Sequence, residues 1–250
     1  SYADRLYQLP LGVVGVAIGV VLLPRLSAHL AERDDVAGRA AMNRATEWSM
    51  ALTLPAAAAL IVIPHELVSV LFQRNAFTPA DTAATAAALA VYAAGLPAFV
   101  LQKVLQPVFF AREDTRRPFY YALASLVLNA AVAVGLMPWL GYMAAALGTT
   151  VAAWGMVALL WMGARGMGQA AQFDARLRDR LPRTCGATVI MAAILWAAAQ
   201  VLDPMFGLAG QRYAALAILI ALGMLSYAMA GRMLGAFGLA ELKGALSRRG

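Results

Sequence analysis

The sequence has 250 residues, of which 62% are hydrophobic and only 13% charged, with a mean hydropathy of +0.70. A soluble domain carries about 25% charged residues and must meet water over much of its surface, so this composition excludes an ordinary soluble enzyme, a disordered chain and a nucleic-acid module. The apolar runs are long and unbroken rather than alternating, which excludes a lipid-spanning β-barrel and leaves an all-α, polytopic transmembrane helix bundle.

The chain opens on polar Ser1-Tyr2-Ala3-Asp4-Arg5 with no starting Met and no signal-peptide pattern, so it reads as a piece of a longer protein. Seven apolar segments follow, at about 6–26, 48–72, 82–110, 119–137, 142–162, 187–202 and 213–234, and no polar stretch is large enough to bury a core of its own. The first carries Gly12, Gly15 and Gly19, a small-residue face suited to close helix packing. A charged loop is expected over 31–44. The second segment contains Pro55 and Pro64. Thr78-Pro79-x-Asp81 then has the marks of a helix start: a Thr cap, Pro at the first position and an acid in the first turn. The third segment holds Gly95, Pro97, Gln102, Lys103, Gln106 and Pro107, and the charge cluster Arg112–Arg117 follows it. Asn129 lies near the middle of the fourth, and the turn Pro138-Trp139-Leu140-Gly141 leads into the fifth. In the polar linker 165–183, Phe173, Leu177 and Leu181 recur at helical spacing and predict a short surface helix.

Orientation follows from charge. An odd number of spans puts the two ends on opposite sides. Of the 20 Lys and Arg residues, all but Arg5, Arg74, Lys103 and Arg212 then fall on one side, which the positive-inside rule makes cytoplasmic. The start of the chain faces outward and its end faces the cytoplasm. The net charge of +7 is thereby explained without nucleic acid.

Ionisable groups inside hydrocarbon are costly and point to function. Lys103 sits about 10 Å from the end of its segment; it either snorkels to the interface or, with Gln102 and Gln106 on the same helix face, lines a cavity. Asp4, Arg5 and Gln8 form a second cluster. Arg5 is either an interfacial anchor or a guanidinium that grips a phosphate through two parallel hydrogen bonds, with Asp4 holding it in place. Asn129 is read as an interhelical hydrogen-bonding amide or a further cavity-lining group. The acids cluster in polar loops, which argues against paired-carboxylate catalysis. His29 and His65 are far apart and have no companion cysteine, so no metal is expected. The single Cys185 excludes an intrachain disulfide. The protein reads as a non-enzyme with no cofactor.

Three ordered stretches carry a family resemblance: SYADRLYQLPLGVVGVAIGVVLLPRLS (1–27), LFQRNAFTPADT (71–82) and LQKVLQPVFFAREDTRRP (101–118). Together they resemble the C-terminal half of the bacterial lipid II flippase family MurJ (MviN), within the MOP exporter superfamily. The resemblance implies one lobe, helices eight to fourteen, of a fourteen-helix transporter whose two lobes flank a V-shaped cavity. The implied activity is movement of undecaprenyl-pyrophosphoryl disaccharide-pentapeptide from the cytoplasmic to the outer leaflet for peptidoglycan synthesis. It implies residence in the bacterial inner membrane and a drive from membrane potential or an ion gradient. The implied partners are the missing N-terminal lobe and the cell-wall synthesis machinery. One of the family's pyrophosphate-binding arginines matches Arg5, and Asp4 matches the acid beside it. Gln8 stands where the family has another acid, so it can hydrogen-bond but not carry a proton. A flippase for another polyprenyl-pyrophosphate oligosaccharide and a non-transporting membrane scaffold are the alternatives. A membrane enzyme acting on lipid-linked sugar is weakened by the lack of a suitably placed acid within the apolar segments.

Overall fold

The computed structural model describes residues 8, 12, 35–73, 78–110, 112–165, 172–208 and 210–236. Seven helices are seen among them: α1 (Asp35–Val62), α2 (Pro64–Phe72), α3 (Pro79–Phe110), α4 (Arg116–Leu140), α5 (Met143–Arg165), α6 (Ala175–Phe206) and α7 (Gln211–Met233). All but α2 are long and apolar enough to cross a membrane. The apolar segment expected at 6–26 lies outside the described residues, apart from Gln8 and Gly12, which are helical.

Three expectations about helix limits are corrected. The stretch 31–44 is not a loop from Asp35 onward, because α1 begins there. Arg39 and Arg44 belong to that helix, which buries Met42 and Ala45. The second apolar segment is broken in two. Pro64 starts α2, and Ile63 before it leaves helical geometry at φ −121° and ψ 43°. The linker helix is not a separate surface element either: it is the opening of α6, which continues unbroken through Pro182 to Phe206. At 32 residues α6 is about 48 Å long, more than the roughly 30 Å of a bilayer core, so its Arg-rich first turns extend beyond the hydrocarbon.

The Thr78 start holds as read. The Asp81 amide donates to the Thr78 hydroxyl at 3.2 Å, and the Thr78 amide donates back to the Asp81 carboxylate at 2.9 Å, a reciprocal capping box.

Packing follows from small residues and from polar groups that bond across helices. On α5, Ala144, Gly148 and Ala152 repeat every four residues and are buried. A Cβ at Gly148 would lie 2.9 Å from the Asn129 carbonyl oxygen, so α4 and α5 touch there backbone to backbone. Ser125 of α4 donates to the Ala152 carbonyl at 2.9 Å. Toward α3, Thr150 donates to the Val91 carbonyl at 2.8 Å and Trp154 to the Ala94 carbonyl at 3.0 Å. Beyond Pro118, α4 buries no residue and turns Leu126, Val127 and Val134 outward.

One apolar cluster joins Met42 of α1, Phe109 of α3 and Leu160 of α5, with Leu181 of α6 packed against it. These residues mark a single end of the bundle. Among the described residues, Arg39, Arg44, Arg112, Arg165, Arg176 and Arg180 lie on or next to these same helix ends. At the opposite end, Arg212 of α7 reaches the Gln73 carbonyl after α2.

Candidate functional site

At the basic end, α1 captures the segment that leads into α6. Asn43, 1% exposed, donates to the Gln172 carbonyl at 2.9 Å and accepts from the Asp174 amide at 3.1 Å. Arg39 donates to the Gln172 and Phe173 carbonyls. Asp174 caps α6 by accepting from the Leu177 amide at 2.7 Å. One turn along α1, Glu47 is 8% exposed and receives three guanidinium groups: Arg44 at 2.8 Å, Arg176 at 3.1 Å and Arg180 at 2.6 Å. Nearby, Phe173 stacks on Trp161 of α5, with the Arg165 guanidinium 4.1 Å from the Trp161 ring. The hub thus binds α1, α5 and α6. Sequence reading passed over Glu47 by assigning the acids to loops. It is a buried helical carboxylate, tolerated because cations from two helices surround it.

The residues singled out from the sequence are dispersed. Asp4 and Arg5 lie outside the described residues, and Gln8 is helical and exposed. On α3, Gln102 is turned to α5, where its amide nitrogen donates to the Ala153 carbonyl at 3.0 Å. Lys103 is exposed and Gln106 half-buried. Pro107 lacks the amide that the Lys103 carbonyl would bond in a regular helix, which leaves a second polar group at this level of α3. Asn129 on α4 is half-buried, with its Oδ1 packed over Gly148. Gln102 and Asn129 therefore both point at α5, whereas Lys103 points away from the described bundle.

A feature not anticipated from the sequence is an apolar cavity of about 390 Å³ between α1, α2, α6 and α7. Its walls include Pro55, Leu60, Ile63, Leu67, Met191, Leu195, Leu219 and Gly223, with exposed Leu52, Ile220 and Met224 at its rim. Tyr227 supplies its one side-chain polar atom, and that hydroxyl is engaged, donating to the Ala51 carbonyl at 2.6 Å. Such a cavity suits a hydrocarbon chain and holds nothing that could bind a metal or a charged headgroup. Pro55, Pro64 and the small residues Ala56 and Ala59 were its only sequence signal: a bent helix with little side-chain volume leaves space beside it.

Comparison with known proteins agrees with this architecture. The family model described as lipid II flippase MurJ matches residues 1–233. A probable lipid II flippase MurJ from Rhizobium meliloti is 40% identical over 99% of the chain and 46% of its own length. The lipid II flippase MurJ of Burkholderia cenocepacia is 30% identical over 79% of the chain and 38% of its own length. A solved structure of lipid II flippase MurJ in an inward closed conformation shares the fold with a TM-score of 0.76 at 22% identity, covering 93% of the chain and 45% of that structure. The chain spans about half the length of the curated relatives it matches. With the family model running from residue 1 to the end of α7, the chain belongs to the MurJ family of lipid II flippases.

Proposed function

We propose that this chain is one lobe of a transporter that carries lipid II from the cytoplasmic to the outer leaflet by alternating access, together with an N-terminal lobe, in the bacterial inner membrane. The observation that carries the proposal is the family match across residues 1–233, which includes the Asp4-Arg5 pair. The reading places the basic end of the bundle in the cytoplasm and the Arg212 end outside. Arg5 grips the pyrophosphate with two parallel hydrogen bonds, Asp4 orients it, and Gln8 bonds the arginine or a sugar. Lys103, exposed on α3, adds a cation to the central cavity, with Gln106 and Gln102 beside it; Asn129 stands behind α5. The isoprenoid chain takes the apolar cavity between α1, α2, α6 and α7, whose lining matches it in chemistry. Membrane potential or an ion gradient drives the cycle, and cell-wall synthases take the product.

The test is leaflet-resolved lipid II in cells that depend on the full-length protein. Arg5→Ala should abolish outer-leaflet lipid II with normal protein abundance. Arg5→Lys, which keeps the charge and loses the fork, should retain part of it. Normal outer-leaflet lipid II in Arg5→Ala would reject the binding role.

A further inference from the structure

We infer that Tyr227 is a positioning residue for the apolar cavity: it supplies the hydrogen-bond donor that Pro55 removes from α1, and so ties α7 to α1 at one end of that cavity. Proline has no amide hydrogen, so a helix that contains one leaves the carbonyl four residues earlier without its donor. For Pro55 that carbonyl belongs to Ala51, which is 5% exposed. Within a bilayer no water is available to satisfy it, and a buried carbonyl needs a partner. The Tyr227 hydroxyl donates to it at 2.6 Å from 176 residues away. Both residues also line the cavity. Ala51 is the first α1 residue on its wall and Tyr227 the last on α7, so the bond closes the end nearest the Glu47 hub. The rim beyond it, at Leu52, Ile220 and Met224, stays open. The proline thus creates the need, and the tyrosine meets it only at one spacing of the two helices, which sets the width of the groove between them.

The inference rests on the reading of the cavity as the seat of a lipid chain, and its test separates the two. Full-length protein with its native cysteines replaced is placed in nanodiscs, with spin labels at Leu52→Cys and Ala228→Cys. Tyr227→Phe should broaden and lengthen the α1–α7 distance distribution. It should also lower cavity labelling by a diazirine-bearing polyprenyl phosphate roughly fivefold, the change one net hydrogen bond produces. Pro55→Ala returns an amide donor to Ala51, so in Pro55→Ala/Tyr227→Phe both readouts should recover to those of Pro55→Ala alone. A packing role for the phenol predicts the same loss with or without Pro55, and that result, or an unchanged Tyr227→Phe, overturns the inference. Distances that follow the Pro55-dependent pattern with no cavity labelling of the wild type would take the lipid chain out of the cavity and overturn the positioning role. The flippase reading, which Arg5→Ala tests, would be untouched.

Discussion

Glu47→Gln removes one charge from the hub that joins α1 to α6 and changes its size little. Both Glu47 oxygens are engaged, at 2.6–3.2 Å, by Arg44, Arg176 and Arg180. At an effective dielectric of about 20, each attraction is worth roughly 4 kcal/mol at about 4 Å, whereas guanidinium groups gathered on one carboxylate repel by roughly 2–3 kcal/mol per pair at about 6–7 Å. Substitution deletes the attractions and keeps the repulsions. Breaking a fully buried pair costs about 3–5 kcal/mol. Here the arginine side chains are 30%, 34% and 19% exposed and recover hydration, which lowers the expected loss to about 2–3 kcal/mol. At about 2–4 °C per kcal/mol for a unit of this size, the apparent Tm of the purified full-length protein should fall by roughly 5–10 °C. Fluorescence-detected melting in detergent measures this, with exposed Arg178→Gln as the control. A Glu47→Gln protein that melts within about 1 °C of wild type, or a control with the same loss, would refute the reasoning.

Three further outcomes are expected. Gly148→Val should disrupt the α4–α5 contact more than Gly135→Val, since a Cβ at Gly148 meets the Asn129 backbone at 2.9 Å and one at Gly135 meets nothing within 4 Å; detergent melting curves compare the two. Asp81→Ala removes half of the capping box and should destabilise the start of α3 by about 1 kcal/mol, seen as faster hydrogen exchange at the Thr78 and Asp81 amides. In intact cells, an impermeant thiol reagent should label a cysteine placed at Asn75 and spare one at Thr115, and the reverse pattern would invert the proposed topology.

Much of the architecture was legible because a membrane imposes local rules. Each apolar run long enough to cross the bilayer must be helical, since its backbone groups have no other partners there. The capping pattern at Thr78 is likewise a property of a few adjacent residues, and it appears where the sequence puts it. Two of the corrected limits share one cause. Hydropathy reports what enters lipid, not where a helix ends, so it does not distinguish the charged first turns of α1 and α6 from loop and linker.

The sequence by itself determined a membrane-spanning helical bundle, its charge asymmetry, its family resemblance and the list of backbone groups that would need an outside partner. Tertiary structure alone decided which partners meet those needs. Glu47 looks like any loop acid until α6 brings Arg176 and Arg180 to it from 129 and 133 residues away. Pro55 predicts an orphaned carbonyl at Ala51, but only the packing of α7 against α1 makes Tyr227 the donor. The same holds for Gln102 and Lys103, adjacent in sequence: one is spent on the α5 backbone and the other left facing outward by the 100° turn between neighbouring helical residues. A local pattern specifies that a polar group must be satisfied, whereas the identity of its partner depends on which helices lie side by side, and that is set by the packing of the whole bundle.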